Sequence, residues 1–339
     1  MIDRRRLLLA GGTVLAGGAA ALAGVAGIGL PAGNSAGAGG ALRVASLKFG
    51  SLNWLLETIR AEGLADKAGL QIIVVEVATN QAGPVALLSG EAEIIVSDWP
   101  WALRQRALGE HVRFAPYSSA LGAVMVAPDS PIKTFADLKG KRLGVAGGAI
   151  DKSWLLLRAY SRRVLGADIA TLAEPSYGAA PLLTAEAQAG RLDAVLNFWT
   201  YAARMQGENY RTLIGMDEVL EALDIKPVPS LVGFIWRESV EAKKPAELAA
   251  FLSVVEQGNA ILAKSDAAWD RIRHLVRPET DAEFAAIKAY YRAGIPKPWT
   301  DAETRAAEKL TQVLVDVGGA QLLGKDTPFD PKLFHAAGS

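Results

Sequence analysis

Five of the eight tryptophans in this chain stand just past a short apolar run, near the start of a helix-like segment. An indole offers a flat apolar face and one N–H donor, so several of them in one crevice would stack on a ring or hold a cation. In an open α/β sheet such a crevice lies at the carboxyl ends of the strands, where helices begin. The spacing therefore predicts a ligand-binding cleft, and the alternative for each ring taken singly is ordinary core packing. The five residues are Trp54, Trp99, Trp101, Trp154 and Trp199.

Two carboxylates, Asp98 and Asp151, stand at the same kind of junction. Together with the indoles they favour an amine, an aminopyrimidine or another electron-poor ring, held by stacking and charge-assisted hydrogen bonds. The alternative for each aspartate is a helix cap. A sulfonate or nitrate stays open as the solute, because backbone N–H groups, a hydroxyl and cationic side chains are also at hand. The residues for that second role are Lys48, Ser118, Gly147, Gly148 and Lys152.

Composition limits the class of protein. With 339 residues, of which 50% are hydrophobic and 21% charged, the chain is expected to fold into about two globular domains. The formal net charge is zero, so no basic excess is present to neutralise phosphates, which argues against a nucleic-acid partner. Cysteine is absent, which excludes disulfides, thiolate metal ligands, a cysteine nucleophile and a lipid on an N-terminal cysteine.

The first 38 residues have the pattern of an export signal. Arg4, Arg5 and Arg6 precede a Gly- and Ala-rich apolar run over residues 7–30, and a small-x-small cleavage pattern ends at Ala38. The pattern resembles a twin-arginine signal, but Asp3 and Leu7 depart from it, so the general secretory route stays open. An uncleaved anchor is the alternative, since the run is long enough to span a bilayer. We expect a soluble periplasmic protein that is not a lipoprotein.

Beyond residue 40 the chain alternates strand-like and helix-like segments, which predicts an α/β fold. Two strand-like runs, 112–117 and 122–127, follow each other with no room for a crossover helix, and this break predicts a change of lobe. From residue 245 onward the pattern is almost wholly helical. The other predicted strands cover residues 42–49, 70–77, 94–97, 142–146, 171–175, 192–198 and 231–236.

No pattern in the sequence indicates catalysis. The three histidines are His111, His274 and His335, and none stands at metal-ligand spacing. Residues 319–325 have the spacing of a phosphate-binding loop, but the following residue is aspartate where Ser or Thr would hold magnesium, and the segment follows a helix. We therefore predict no catalytic residue, no metal and no cofactor.

Residues 42–264 resemble the solute-binding proteins of ABC importers for nitrate, sulfonates, taurine and thiamine-precursor pyrimidines. The resemblance rests on the opening strand and loop, on "ALLSGEAE", on "PIKTFADLKGKRLGV" and on "GRLDAV". It implies a two-lobed type II periplasmic-binding fold, in which each lobe is a mainly parallel sheet flanked by helices. The first lobe would comprise residues 41–117 and 241–339, and the second would comprise residues 118–240.

The resemblance also implies a function: a monomer traps a small solute between its lobes by hinge closure and delivers it to a membrane permease and its ATPase. An enzyme of the same fold acting on a pyrimidine-like substrate is one alternative, although the related synthases use a cysteine-rich segment. A periplasmic sensor without transport is another. We expect the residues of the binding site on a first-lobe wall, at the crossing and on an opposing wall. They are Phe49, Ser51, Asn53, Trp54, Gln81, Asp98, Trp99 and Trp101; then Ser118 and Ser119; then Gly148, Asp151, Trp154, Asn197, Trp199 and Tyr201.

Overall fold

A computed structural model describes residues 40–48, 50–79, 81–324 and 327–335, apart from the side chains of residues 320 and 321. The predicted export signal and Phe49 therefore lie outside the described residues. The described strands form two five-stranded sheets. They are β1 (Ala41–Leu47), β2 (Gln71–Val77), β3 (Ile94–Asp98), β4 (Val112–Ser118), β5 (Ala123–Val126), β6 (Arg142–Ala146), β7 (Glu174–Gly178), β8 (Ala194–Asn197), β9 (Arg211–Gly215) and β10 (Val232–Arg237).

Helices connect the strands and make up most of the chain after β10. Short 3₁₀ turns cover Phe135–Leu138 and Pro331–Leu333. Within the described residues, no helix combines the length and the apolar character needed to cross a bilayer. The helices are α1 (Ser51–Ala61), α2 (Leu64–Lys67), α3 (Ala82–Ser89), α4 (Trp99–Ala107), α5 (Lys152–Leu165), α6 (Ile169–Leu172), α7 (Ala180–Gln188), α8 (Trp199–Gly207), α9 (Met216–Ala222), α10 (Glu238–Lys243), α11 (Pro245–Lys264), α12 (Asp266–Val276), α13 (Asp281–Ala293), α14 (Asp301–Gly318) and α15 (Ala320–Leu323).

The two sheets share one arrangement. Sheet A has the order β2-β1-β3-β10-β4, and sheet B has the order β7-β6-β8-β5-β9. In each sheet the first three strands run parallel, and the fourth, which pairs antiparallel with its neighbours, comes from the chain segment that crosses between the sheets. The chain crosses once between β4 and β5 and once between β9 and β10. The α/β class with two mainly parallel sheets is confirmed.

The C-terminal segment returns to sheet A and packs on β4. Phe334 forms an isolated parallel bridge with Phe114, and the backbone N–H of His335 donates to the Phe114 carbonyl at 2.8 Å. The Phe334 ring stacks on the Trp299 ring with centroids 4.6 Å apart. Helix α14 meanwhile packs against α5 beside sheet B, and α15 packs against α4 beside sheet A. The C-terminal region is thus shared by both sheets, and one buried cluster runs continuously through them.

One predicted strand is wrong in its placement. Residues 169–172 form the helix α6, and the strand begins only at Glu174, where it pairs with β6. The reason is a cap that competes with the β-rich composition: Asp168 accepts the backbone N–H of Ala170 at 3.0 Å, which favours a helical turn. Strand β10 lies in sheet A between β3 and β4, although the predicted bounds assign its residues to the second lobe. The exact boundaries of the two lobes stay a prediction.

Candidate functional site

Four helices follow strands whose carboxyl ends approach each other, either at once or after a short loop: α1 and α4 follow β1 and β3 of sheet A, whereas α5 and α8 follow β6 and β8 of sheet B. Side chains from the two sheets meet here. We call the set Trp54, Asp98, Lys152 and Trp199 the seam, because it joins the two edges by an ion pair and by a ring contact. This is the place at which the sequence predicts a cleft.

The ion pair of the seam links the last residue of β3 to the first residue of α5. Lys152 Nζ donates to Asp98 Oδ2 at 2.7 Å, while Asp98 Oδ1 accepts the backbone N–H of Trp101 at 2.9 Å. Asp98 is therefore both the cap of α4 and the partner of a lysine from the other sheet. The side chains of Asp98 and Lys152 remain 19% and 28% exposed, respectively, so solvent reaches part of the pair.

Charges of both signs surround this pair. The pKa of Lys152 is raised above its ordinary value. Burial lowers this pKa, and so does the nearby charge of Arg104, but the carboxylates of Asp98 and Asp151 raise it by more. Burial raises the pKa of Asp151, although Lys152 and the backbone N–H of Ser153 act in the other direction. Two carboxylates therefore face two cations, beside the positive ends of α4 and α5. Such a cluster can bind an acidic or a basic group of a solute by exchanging partners.

The ring contact of the seam involves Trp54 from α1 and Trp199 from α8, with centroids 6.1 Å apart and planes at 88°. Tyr291 of α13 completes the group at 6.2 Å from Trp54 and 6.4 Å from Trp199. Trp54 is buried, whereas Trp199 is half-buried. An edge-to-face arrangement of this kind adds about 0.5–1.5 kcal/mol per pair beyond area burial.

Two of the predicted tryptophans lie in the core. Trp99 is 0% exposed and packs edge-on against Phe334 at 6.0 Å, and Trp154 is 1% exposed and packs against Tyr177 at 6.1 Å. Trp101, in contrast, is only partly buried. In this arrangement Trp99 and Trp154 support the helices that carry the seam, and a direct ligand contact for either stays a prediction.

The two predicted asparagines form hydrogen bonds within the chain. Asn53 donates to the carbonyls of Leu47 and Lys48 at 2.7 and 2.8 Å, which fastens the loop between β1 and α1. Asn197 is 1% exposed and donates to Thr184 Oγ1 at 2.9 Å, which fastens β8 to α7. Both side chains shape the loops at the seam, and contact with a solute stays a prediction for both.

Of the two serines predicted for the crossing, Ser118 is the last residue of β4, and Ser119 follows it in the segment that leads to β5. Ser118 Oγ accepts the backbone N–H of Ala120 at 3.1 Å, and the Ser119 hydroxyl lies 2.5 Å from that of Ser230 on the second crossing. The backbone N–H of Ser119 donates to the Gly294 carbonyl at 2.8 Å. These bonds tie both crossings to the end of α13, so the serines hold the connection between the sheets.

The remaining predicted residues surround the seam more loosely. Gly148 is partly buried in the loop after β6, Gln81 is exposed at the start of α3, and Tyr201 packs partly buried on α8. The preceding Gly147 has φ +95°, and a Cβ there would lie 2.8 Å from Asp151 Oδ2. Only glycine fits that turn without strain. Because Gly147 has no side chain, its backbone can lie close to the charged cluster.

Sequence reasoning missed three side chains of the site. Tyr117 is buried at the carboxyl end of β4, and its hydroxyl oxygen lies 2.9 Å from the Ser51 hydroxyl oxygen. Burial raises the pKa of the Tyr117 hydroxyl. Arg104 and Tyr291 were not assigned either. Tyr117 ends a predicted strand, so the rule that found the tryptophans would have found it. Arg104 and Tyr291 have no local signal, because they reach the seam from within helices.

Among the described residues, no group of three acidic, histidine or cysteine side chains has the geometry to hold a metal ion.

Solved structures similar to this chain include two sulfonate-binding proteins. The periplasmic aliphatic sulphonate binding protein SsuA from Escherichia coli superposes with a TM-score of 0.68 at 20% identity, over 88% of this chain and 92% of that one. The alkanesulfonate-binding protein SsuA from Xanthomonas axonopodis pv. citri, bound to MOPS, gives 0.63 at 19%, over 89% and 100%. The desulfurization enzyme DSZB gives 0.57 at 16%, over 85% and 97%. At these identities the likeness shows the fold alone.

No curated protein sequence matches the chain significantly. A protein-family model described as NMT1/THI5 like, however, matches residues 60–268, which is more than half of the 339 residues. The match spans α4, α5 and α8, and so includes Asp98, Lys152 and Trp199 of the seam. Together with the two-sheet architecture it confirms the resemblance drawn from the sequence. The chain is a member of the NMT1/THI5-like family, with the fold of a two-lobed periplasmic binding protein.

Proposed function

We propose that this protein is the solute-binding component of an ABC importer, which holds a small organic solute at the seam and presents it to a membrane permease and its ATPase. The observation that carries the proposal is the Asp98–Lys152 ion pair, because it joins the two sheets at 2.7 Å through side chains that are still partly exposed. A solute that replaces one partner of this pair would contact both lobes at once. Ligand contacts on both lobes are what stabilise a closed state.

The proposed solute is aromatic or nitrogenous and carries a charged group. Asp98 and Asp151 would accept hydrogen bonds from an amine, while the half-buried rings of Trp101 and Trp199 would flank its apolar part. A sulfonate or nitrate is the competing solute class, and the two SsuA neighbours bind sulfonates by their names. Lys152 and Arg104 are the cations that would hold such an anion.

Export and assembly belong to the same proposal. Residues 1–38 would direct the chain to the periplasm and be removed there, since three consecutive arginines precede an apolar run and a small-residue cleavage pattern. The mature protein would act there as a soluble monomer. A periplasmic sensor would use the same closed lobes, and a neighbouring gene for a permease or for a receptor kinase would separate the two roles.

The first experiment is native mass spectrometry of the protein purified from its source, followed by thermal-shift measurements with aminopyrimidines, aromatic amines, aryl and alkyl sulfonates and nitrate. A bound molecule released unchanged, with a rise in melting temperature when it is added back, is the expected result. Lys152→Gln is expected to change the affinity for that solute about tenfold or more: an anion binds more weakly because it loses its cation, and an amine binds more tightly because the lysine no longer competes for Asp98. Lys67→Gln on exposed α2 is the matched control and leaves binding unchanged. Equal affinity in the Lys152 variant would refute the seam as the binding site.

An enzyme of the same fold is the second candidate, because DSZB is among the structural neighbours. That enzyme was also solved as a cysteine-to-serine variant in complex with biphenyl-2-sulfinic acid. This chain has no cysteine, so a cysteine mechanism is not open to it. Conversion of the carried-over solute by the purified protein would favour the enzyme, and its release unchanged favours the binding protein.

A further inference from the structure

Four charged side chains act on one another beside the seam. The protonation of Lys152 responds to the charges of the other three, so all four share one electrostatic environment. Two are carboxylates and two are cations, and their formal charges sum to zero. Because the cluster is partly withdrawn from solvent, a net charge added here costs more than it would in open water. A solute with one charge of each sign keeps the balance. The four residues are Asp98, Arg104, Asp151 and Lys152.

The hydrogen bonds of this cluster are unevenly distributed. Asp98 accepts from a backbone N–H of α4 at 2.9 Å and from Lys152 Nζ at 2.7 Å. Asp151 accepts the backbone N–H of Ser153 at 2.9 Å. The half-buried guanidinium of Arg104, in contrast, forms no hydrogen bond and no ion pair with any residue that the structure describes. Its N–H donors therefore remain for an acceptor that a solute supplies.

Arg104 is well placed to meet a solute at the seam. It lies on the same face of α4 as Trp101, because three positions separate the two residues. Long side chains of a helix point back toward its amino terminus, so the guanidinium is directed toward the end of α4 that carries Asp98. Gly324, which follows α15, lies near the stem of this side chain: a Cβ built there would be 4.0 Å from Arg104 Cγ. The guanidinium and the half-buried Trp101 ring thus lie together beside Asp98.

Exposed apolar side chains stand at the facing edge of sheet B. Ile150, in the loop before α5, is 47% exposed, and Phe198, directly before α8, is 38% exposed. Single exposed apolar residues are ordinary in proteins, but these two flank the starts of the helices that carry Lys152 and Trp199. Apolar surface therefore adjoins the charged cluster, and a ring between two charged ends fits this distribution.

We propose that the solute is a zwitterion, with an ammonium group bound by Asp98, a carboxylate bound by Arg104 and an aromatic or other apolar body between them. This solute class rests on the proposed function, because it specifies the occupant of the same site. The ammonium takes the place of Lys152 at Asp98, and the released lysine pairs with Asp151, whose charge already acts on it. The planar donor fork of Arg104 fits the two oxygens of a carboxylate. A simple amine or a simple acid uses one of the two ends only.

The test is isothermal titration calorimetry of the purified protein with three probes that share one ring. At pH 7, 4-(aminomethyl)benzoate carries both charges, 4-methylbenzylamine carries the positive one and 4-methylbenzoate carries the negative one. We expect the zwitterion to bind about tenfold or more tightly than either relative, because only the zwitterion forms a charge-assisted pair at each end. Equal affinity for the zwitterion and for 4-methylbenzylamine would overturn the proposal.

Variants of Arg104 assign the acidic end. Arg104→Gln should weaken binding of both carboxylates about tenfold or more and leave the affinity for 4-methylbenzylamine within about twofold. Arg104→Lys keeps the charge without the planar fork, so its affinities should fall between those of the unaltered protein and of Arg104→Gln. Arg163→Gln is the matched control: that arginine pairs with Asp224 at the far end of α5, roughly 16 Å of helix from Lys152, and the variant should bind all three probes normally.

The outcomes separate this proposal from the proposed function. If Arg104→Gln binds the zwitterion as tightly as the unaltered protein does, while Lys152→Gln changes the affinity for the amine, the zwitterion is refuted and the seam remains the solute site. If Lys152→Gln changes the affinity for none of the probes that bind, the seam itself is refuted. Absence of saturable binding by the zwitterion also overturns the proposal, and the molecule identified by native mass spectrometry then tests the seam separately.

Discussion

Sheets A and B have the same strand order but unequal cover. On one face of sheet A, helices α11 to α13 cover a large buried cluster that contains several aromatic rings, among them Trp236 of β10 and Phe251, Trp269 and Tyr291 of the helices. On the corresponding face of sheet B, the buried cluster is small and built from alanine, methionine, leucine and valine, with no buried aromatic ring in the described part of it. The same topology thus supports one heavily packed lobe and one lightly packed lobe.

The difference indicates how the lighter lobe is held. Helix α8 of sheet B packs closely on α13, where Gly207 abuts the backbone of Glu283: a Cβ on Gly207 would lie 2.4 Å from Glu283 Cα. Arg204 of α8 donates to Glu283 and to the Val276 carbonyl, the latter at 2.8 Å. Sheet B is therefore stabilised in part by the helices that cover sheet A. A change in the orientation of the two lobes would have to disrupt this shared interface.

The unequal cover predicts unequal effects of core truncation. Trp269→Ala is expected to lower the free energy of unfolding by about 3–5 kcal/mol, because it removes a fully buried ring and leaves a cavity. Its indole N–H, which donates to the Leu262 carbonyl at 2.8 Å, is lost as well. Met205→Ala in the small cluster of sheet B is the comparison, with an expected loss nearer about 2 kcal/mol. Urea denaturation measures both, and a larger loss for Met205 would contradict the contrast between the lobes.

Replacing Arg204 tests whether sheet B depends on α13. Arg204→Met leaves the carboxylate of Glu283, which is 3% exposed, without its main cation, and we expect a loss of roughly 2–4 kcal/mol. Hydrogen exchange should quicken in α8 more than in α13, since α13 keeps its packing on Trp54 and Trp269. Arg191→Met, at an exposed pair that joins the turn after α7 to Glu186 of α7, serves as control with an effect of less than about 1 kcal/mol. Equal protection of α8 in both variants would rule out this dependence.

Asp151→Asn removes a single charge at the edge of sheet B and has the smallest expected effect. Because burial raises the pKa of Asp151 above the ordinary value of 3.8, the folded state binds this proton more tightly than the unfolded state does. The carboxyl therefore contributes its full stability below pH 3.8, and that contribution is lost as pH rises through the folded-state pKa.

Asparagine caps a helix about as well as aspartate and carries no charge. The variant should therefore be more stable than the unaltered protein at pH 7, by roughly 1.4 kcal/mol for each unit by which the pKa is raised, and equally stable at pH 3. Thermal unfolding followed by circular dichroism at both values measures the difference. If the variant were less stable than the unaltered protein at pH 7, the attraction between Asp151 and Lys152 would outweigh the free-energy cost of burying the charged carboxylate.

Local chemistry accounts for what the sequence alone could establish. Apolar β-rich runs and their turns predicted most strands, and the caps Asp98 and Asp151 marked the starts of α4 and α5, because capping depends only on residues two or three positions apart. The change of lobe after β4 followed from the short spacing to β5. The short strand β9 and the helices α2, α6, α9 and α10 were not predicted, since each is brief and takes its stability from neighbours in the fold.

Only the tertiary structure decided which side chains meet. The sequence pattern puts Trp99, Trp101 and Trp199 in equivalent positions, but in the structure Trp99 is a core ring, whereas Trp101 and Trp199 remain partly accessible. The difference has no local signal, because Trp99 is buried by a segment distant in sequence, the one around Phe334. The pairing of Asp98 with Lys152 joins two sheets and has no local signal. The chain's sequence thus determined where helices and strands begin, which is a short-range matter of caps and turns. The packing of the two lobes determined which charges and rings face each other, because Coulomb and van der Waals contacts act between residues that only folding brings within a few ångströms.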